Sequence, residues 1–179
     1  MFQVHAGRGR SARNVEGARV SNRFPTRRTN AQERTGKMAS ADLLTKEMES
    51  FYRRYIEAFN SEELTGLAEL FSYPWGSIGG RRGMLVIKDQ ADFMRAMGKS
   101  KGVLRDRGWT RTAIDTIHAW PTADDLGLLM ADFTRYREDG SVLERGRACY
   151  TMRRDAAAWK IVTLMEVANP YLGPGDFPR

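Results

Sequence analysis

Three charged residues in the second half of the chain, Asp132, Arg147 and Glu166, are spaced so that they would meet across neighbouring β-strands. If Asp139-Gly140 form one hairpin loop and Ala156-Ala157 form the next, Asp132 faces Arg147, and Arg147 faces Glu166. A guanidinium between two carboxylates would hold both by hydrogen bonds and keep them ionised. The predicted cluster is therefore the main candidate for chemistry in this sequence.

The alternative interpretation of this cluster is a charge ladder that faces solvent or a second subunit and keeps the sheet soluble. Exposed pairs of this kind contribute about 0–1 kcal/mol to stability. In the predicted register, Met130 and Cys149 share the face of the cluster, and the opposite face is nearly all apolar. That apolar face consists of Leu129, Ala131, Phe133, Ala148, Tyr150, Met152, Trp159, Ile161 and Met165. The face that packs on helices distinguishes the two interpretations.

The element that positions these residues is a predicted meander of four antiparallel strands. Runs rich in β-branched and aromatic residues alternate with short turns, at residues 109–120, 126–137, 142–154 and 159–167. Asp139-Gly140 is the strongest turn signal, because both central residues of a type I′ turn need positive φ. The same register places Arg135 opposite Glu144, which supports it, and Arg153 opposite Lys160, which does not.

Three helices are predicted before the meander. Ser40 caps the first, and Asn60 or Ser61 caps a short second helix. Asp89 caps the third, and short strands at residues 75–78 and 84–88 lie between the second and third helices. Apolar residues recur at helical spacing in the first helix, at Leu44, Met48, Phe51, Tyr52, Tyr55, Ile56 and Phe59. This order predicts one α+β domain over residues 39–168.

The net charge of +7 is a property of the first 38 residues. They hold nine Lys and Arg against two Glu, and residues 39–179 are neutral, with 20 basic and 20 acidic residues. We expect residues 1–38 to be a disordered, Arg-rich tail and the native chain to begin at Met38. A tail that binds phosphates and a transit peptide are the alternatives. Residues 169–179, rich in Pro and Gly, are predicted to be irregular.

Other functional classes find little support in the sequence. The sequence contains no run of 18 apolar residues, and no membrane span is therefore predicted. A single cysteine, Cys149, fits a reducing compartment such as the cytoplasm. Two histidines and one cysteine show no metal-ligand spacing, so no metal or cofactor is predicted. His118 is a candidate general base or a hydrogen-bonded histidine at the rim of a pocket. The glycines of residues 79–83 lack the spacing of a phosphate-binding loop.

Four short segments carry a resemblance to a known family. They are Tyr55-Ile56-Glu57-Ala58-Phe59-Asn60, Leu67-Ala68-Glu69-Leu70-Phe71, Asp139-Gly140 and Trp159-Lys160-Ile161. Their order over residues 40–168 resembles the nuclear transport factor 2-like superfamily, also called SnoaL-like or ketosteroid-isomerase-like. The resemblance implies a cone-shaped, curved antiparallel sheet that helices cover around a pocket, commonly paired as a homodimer. The superfamily includes isomerases, dehydratases, cyclases, epoxide hydrolases and proteins that only bind, so fold leaves function open.

The Asp132, Arg147 and Glu166 cluster is similar to the acid–arginine–acid arrangement of limonene-epoxide-hydrolase-like members. The resemblance implies that one of the two acids is a general base, that the other donates a proton, and that Arg147 orients them. The aspartate base that ketosteroid isomerase carries before a proline has no counterpart here, because this position reads Ser72-Tyr73-Pro74-Trp75.

The sequence predicts a cytoplasmic homodimer with a pocket for a small apolar ligand. Candidate pocket residues are Tyr52, Tyr55, Trp75 and His118. One alternative is a hydrolase, isomerase or cyclase that uses the three charged residues; another is a protein-interaction module that uses the sheet face. Neither nucleic acid nor membrane is predicted as a partner.

Overall fold

A six-stranded sheet and three helices make up the part of the chain described by the computed structural model, residues 27–79, 83–156 and 158–167. The elements are α1 (Arg27–Asn60), α2 (Leu64–Ala68), β1 (Phe71–Gly79), β2 (Gly83–Ile87), α3 (Gln90–Asp106), β3 (Arg111–Pro121), β4 (Leu126–Tyr136), β5 (Val142–Asp155) and β6 (Ala158–Glu166). The strand order is β2-β1-β6-β5-β4-β3. The expectation of an antiparallel sheet is wrong at one place: the sheet is mixed, because β1 and β6 pair in parallel. The predicted α+β architecture, a curved sheet covered by three helices, is confirmed.

Two terminal predictions lie mostly outside the described residues. The C-terminal segment, residues 169–179, and residues 1–26 of the predicted tail are not described, nor are loop residues 80–82. Helix α1, however, begins at Arg27, and Ser40 therefore lies inside the helix instead of capping it. The physical reason is that good helix formers, among them Ala31 and Gln32, precede Ser40 and let the helix extend.

The apolar stripe of α1 is buried as predicted. All seven residues of the stripe are at most 7% exposed, and Met48, Phe51 and Tyr52 are almost completely enclosed. A stripe of this width packs on a sheet because each large apolar side chain gains about 1.5–3 kcal/mol on full burial. We call the sheet face that α1 covers the inner face and the opposite one the outer face.

The helix caps differ in part from the prediction. The carboxylate of Asp89 accepts a hydrogen bond from the backbone N–H of Asp92 at 2.8 Å, which confirms the predicted cap of α3. Glu63 caps α2, so the prediction of Asn60 or Ser61 is wrong. The Asn60 side chain instead pairs with the backbone of Thr112 in β3: it accepts from the N–H at 2.8 Å and donates to the carbonyl at 2.9 Å.

The hairpin between β4 and β5 keeps the predicted register with a different turn. Within this hairpin only Gly140 has positive φ, at 80°, and its N–H donates to the Arg137 carbonyl at 3.0 Å. The loop is therefore one residue longer than that of a type I′ turn. A β-bulge next to Tyr136 compensates for the extra residue. Asp132 therefore faces Arg147 as predicted, and Arg135 faces Glu144.

The pairing of β5 with β6 departs from the prediction at one residue. The strands pair in the predicted register up to Met152 and Ile161, and then Val162 forms a bulge. Beyond this bulge Glu166 faces Ala148, and the prediction that it faces Arg147 is wrong. Since an inserted residue turns every later side chain to the other face, Leu164 and Glu166 lie on the inner face.

Small residues let α1 approach the inner face. Gly127 in β4 lies against Met48, and a Cβ atom at this glycine would be 2.6 Å from the methionine Cε. At the other end of the contact the rings of Tyr52 and Tyr150 meet at 5.2 Å.

None of the helices in residues 27–79 and 83–106 combines the length and apolar character that a bilayer span requires.

The contact at Gly127 predicts that Gly127→Ala destabilises the fold. The added Cβ would also lie 3.1 Å from the Trp120 carbonyl, and the buried Met48 has no open space to move into. We expect the free energy of unfolding to fall by about 1–3 kcal/mol in urea titrations. Gly102→Ala in α3 is the control, because nothing lies within 4 Å of its new Cβ. Equal stability of the two variants would contradict this account.

The double hydrogen bond of Asn60 predicts a second stability effect. Asn60→Ala leaves the N–H and carbonyl of Thr112, a residue 5% exposed, without these partners. Such a loss costs about 1–3 kcal/mol. Asn60→Asp keeps the acceptor and loses the donor, and we expect it to destabilise as well. Ser61→Ala, at an exposed neighbour with local bonds only, is the control in the same denaturation measurement.

Candidate functional site

A cavity of about 340 Å³ lies between α1 and the inner face of the sheet. One part of its wall is aromatic and consists of Tyr52, Tyr55, Phe59, Phe133 and Tyr150, and another part is charged and consists of Arg135, Glu144, Arg145, Arg147 and Glu166. Arg145 and Glu166 are exposed lining residues, which places the opening on their side. We call this space the tyrosine cavity.

Three tyrosine hydroxyls meet in the tyrosine cavity. The hydroxyls of Tyr52 and Tyr150 lie 3.3 Å apart and share a hydrogen bond, and the Tyr55 ring lies 5.9 Å from the Tyr150 ring. Burial raises the pKa of all three phenols above the ordinary value. Each hydroxyl therefore stays protonated at neutral pH and is available as a hydrogen-bond donor.

A charged pair shares the inner face with these aromatic residues. The guanidinium of Arg135 lies 4.9 Å from the centre of the Phe133 ring and 5.8 Å from that of Phe59, both within cation–π range. Its Nη1 atom donates to Glu144. The second carboxylate oxygen of Glu144 accepts from Arg107 Nη2 at 2.5 Å, so one carboxylate bridges two arginines.

The bridge controls the protonation of Glu144. Burial alone would raise the pKa of this carboxyl, but hydrogen bonds from Arg107 and Arg135 outweigh it, and the pKa is lowered. Glu144 is consequently an anion at neutral pH. The Nε–H of Arg135, although buried, has no hydrogen-bond partner among the described residues.

The three residues predicted as a catalytic cluster do not lie on one side of the sheet. Asp132 and Arg147 form a two-pronged ion pair, with Nε–Oδ1 at 2.5 Å and Nη2–Oδ2 at 2.9 Å. Hydrogen bonds from Arg147, and one from Thr116 at 2.8 Å, lower the pKa of Asp132. Asp132 lines a depression on the outer side and not the tyrosine cavity, Glu166 lines the tyrosine cavity and not the depression, and Arg147 lines both. The bulge at Val162 is the cause of the separation.

The four predicted pocket residues occupy three different places. Tyr52 and Tyr55 line the tyrosine cavity. Trp75 does not belong to that lining and packs among other buried aromatic rings. His118 lies opposite Met130 in the register, which is an outer-face position, and it stacks on Trp120 at 6.0 Å.

Sequence reasoning did not select Tyr150, Arg135 and Glu144 as site residues. A signal was present, because the predicted register already placed Arg135 opposite Glu144. Alternation along β4 puts Arg135 on the same face as Ala131 and Leu129. Two opposite charges on an otherwise apolar, helix-covered face mark a site, because buried charges need a reason to be there.

Among residues 27–79, 83–156 and 158–167, no three His, Cys, Asp or Glu side chains are grouped as they would be around a metal ion. The tyrosine cavity instead offers hydroxyl and guanidinium donors on an apolar wall. This combination suits recognition of an organic molecule that carries oxygen atoms.

Solved structures similar to this chain share its fold. An NTF2-like protein with a cystatin-like fold from Novosphingobium aromaticivorans has a TM-score of 0.59 at 16% identity, covering 80% of this chain and 91% of its own. For an NTF2-like protein of unknown function from Pseudomonas putida the values are 0.57, 14%, 72% and 88%. For a protein of unknown function with a cystatin-like fold from Nostoc punctiforme they are 0.55, 15%, 70% and 91%. Identities this low show the fold alone.

The sequence itself was compared with curated proteins and with family models. No curated protein matches it. The model of the family described as NTF2-like protein (DUF6841) matches residues 46–169, which is more than half of the chain. The matched segment runs from α1 through the last residue of β6 and so includes every residue of the tyrosine cavity. The chain therefore belongs to this NTF2-like family.

Proposed function

We propose that this protein binds a small, mainly apolar molecule in the tyrosine cavity. The observation that carries the proposal is a cavity of about 340 Å³ whose aromatic wall holds three protonated hydroxyls. Pockets for small ligands typically have volumes of roughly 300–1,000 Å³ and combine apolar walls with a few polar groups. Both properties support binding of a compact ring system.

The hydroxyls give the ligand an expected polar feature. A hydrogen bond between Tyr52 and Tyr150 uses one of their two hydroxyl hydrogens. Tyr55 and Tyr150 also share a hydrogen bond, so one of the three hydroxyl hydrogens is left and can be donated to a carbonyl, phenol or carboxylate oxygen of the ligand. Leaving such a buried donor without an acceptor is unfavourable, which favours ligands that carry an oxygen at this position.

Binding explains the geometry better than catalysis by Asp132, Arg147 and Glu166. The register puts Asp132 on the outer face and Glu166 on the inner face, so the two acids do not approach one molecule from the same side. A hydrolase, isomerase or cyclase activity of these residues stays a prediction.

A reducing compartment, the cytoplasm, fits the single cysteine, Cys149.

We also propose that the protein forms a homodimer through its outer face. A row of paired positions crosses this face from Met130 through Cys149, Met165 and Ile78 to Met84. Three of its apolar side chains are at least 37% exposed in one chain. Met130, at one end of the row, is only 1% exposed, so the exposed part consists of Met165, Ile78 and Met84. Neighbouring exposed apolar side chains on a sheet indicate an interface, and a second copy presents the same side chains in the inverse direction around a two-fold axis.

A larger side chain in the tyrosine cavity tests whether the ligand binds there. Ala148 lines the tyrosine cavity, and Ala148→Leu places new side-chain atoms in the space of the ligand. We expect the affinity for a neutral aromatic ketone, 2-acetylnaphthalene, to fall at least tenfold in isothermal titration calorimetry. Cys149→Leu is the matched control, because the next residue of the same strand faces the outer side. An affinity that Ala148→Leu leaves unchanged would rule out this cavity as the binding site.

Binding of the same neutral ketone also has an expected pH profile. Because burial raises the pKa of Tyr52, Tyr55 and Tyr150, the donors stay protonated beyond the ordinary tyrosine value of about 10. We expect the dissociation constant to stay constant from pH 6 to about pH 10 in the same calorimetric measurement. A loss of affinity near the ordinary tyrosine value would show that the hydroxyls are not buried as described.

A charge at Met165 tests the dimer that we propose through the outer face. Met165→Glu places a charge in the centre of the apolar row, and burying it in a dimer would be unfavourable. We expect the wild-type chain to sediment as a dimer at micromolar concentrations and the variant to sediment as a monomer. Val103→Glu, which changes an exposed apolar residue of α3, is the control and should stay dimeric. A monomeric wild-type protein would refute the proposal.

A further inference from the structure

Among the described residues, Glu144 is the only carboxylate that pairs with Arg135. The same carboxylate also pairs with a second arginine, Arg107. We infer that the ligand of the tyrosine cavity carries a carboxylate, which takes the place of Glu144 on Arg135 while Glu144 keeps its ion pair with Arg107. The inference rests on the proposed function, since it names the chemical class of the molecule bound in that cavity.

Arg135 is placed and equipped to receive a ligand carboxylate. It lines the tyrosine cavity, and its guanidinium lies beside the rings of Phe59 and Phe133. Of its five N–H donors, the hydrogen bond to Glu144 uses one, and the buried Nε–H has no partner in the described part of the chain. An arginine holds a carboxylate best through two parallel hydrogen bonds. Arg135 therefore has donor capacity that its present partner does not use.

Arg107 makes the exchange possible without leaving an unpaired charge. The carboxylate of Glu144 uses one oxygen for Arg135 and the other for Arg107, at 2.5 Å. When a ligand carboxylate displaces the first contact, Glu144 retains the second. Breaking an ion pair is costly mainly because it leaves one charge uncompensated, and here Glu144 stays paired. Two arginines and two carboxylates are also neutral in sum, whereas the cluster without ligand carries one excess positive charge.

The tyrosines and Arg135 can act on one head group. Arg135 lines the same cavity as Tyr52, Tyr55 and Tyr150, and its charge lowers the pKa of the three phenols against the larger effect of burial. A carboxylate has about four acceptor positions. It can therefore bind the guanidinium and a tyrosine hydroxyl together, with its apolar body against the aromatic wall.

The test compares two probes of the same shape, 2-naphthoate and 2-naphthamide, by isothermal titration calorimetry on the full chain. We expect the wild-type protein to bind the carboxylate at least tenfold more tightly than the amide, because a charge-assisted hydrogen bond is about twice as strong as a neutral one. Arg135→Met should remove this preference, so that the two probes bind with affinities within about twofold of each other. Arg95→Met, at a 73% exposed side chain outside the cavity, is the control that should keep the preference.

Glu144→Gln gives a readout of opposite sign. Removing the resident negative charge removes both the competitor for Arg135 and its repulsion of the incoming carboxylate. We expect the affinity for 2-naphthoate to rise at least threefold relative to the affinity for 2-naphthamide. A merely structural role of Glu144 would give equal changes for both probes. Because this variant gains affinity, loss of folding does not imitate the expected result.

Each remaining outcome separates the inference from the proposed function. Equal binding of the two probes by the wild-type protein, sensitive to Ala148→Leu, overturns the carboxylate inference and leaves ligand binding in the cavity intact. Lower naphthoate affinity in Glu144→Gln overturns the exchange of ion pairs. Failure of the wild-type chain to bind either probe or 2-acetylnaphthalene overturns the proposed function and the inference with it.

Discussion

The close approach of α1 to the inner face of the sheet is the contact on which the rest of the structure depends. Gly127 leaves room for the Met48 side chain of the helix, and the buried Ala131 and Ala148 lie on the same sheet face. At one end of the contact Met48 fills the space above Gly127 completely. Toward the other end the aromatic rings of the helix and the sheet meet at their edges and leave the tyrosine cavity between them.

Edge-on ring contacts explain why this end of the core stays open. Rings that meet edge to face keep their centres 4.5–7 Å apart, as the Tyr150 ring does with the rings of Tyr52 and Tyr55. The phenol oxygens also need hydrogen-bond partners when they are buried, so they point toward one another and not into the apolar packing. Packing and hydrogen bonding thus concentrate three donors at one place in an otherwise apolar core.

Two arginine–carboxylate systems lie on opposite faces of the same strands and differ in how fully they are satisfied. On the outer face Asp132 receives two bonds from Arg147 and one from Thr116. On the inner face the carboxylate of Glu144 pairs with two arginines. The Nε–H of one of them, Arg135, has no hydrogen-bond partner among the described residues. A saturated pair has little to offer a ligand, whereas an unsaturated one next to a cavity does. The inner pair of Arg135 and Glu144 is therefore the better candidate for ligand binding.

Much of this arrangement could be predicted from the sequence. The apolar stripe of α1, the Asp89 cap and the pairing of Asp132 with Arg147 all follow from local patterns. The start of α1 at Arg27 and the bulge at Val162 could not be predicted. Nothing in the types of residues 158–166 marks a bulge, because β-branched and apolar residues accept either face of a strand. The bulge decided which acid accompanies which arginine.

By itself, the sequence determined the elements, their order, the sheet faces up to Ile161 and the α+β fold, because side-chain periodicity and turn chemistry act over a few residues. Only the tertiary structure decided that Glu166 leaves the ladder of Asp132 and Arg147 and lies on the inner face. It also decided that Arg135 and Tyr150 line one cavity, and that Glu144 bridges Arg135 to Arg107, the residue that follows α3. The physical reason is distance along the chain: contacts between a helix and remote strands depend on the curvature and stagger of the whole sheet, and one inserted residue changes both.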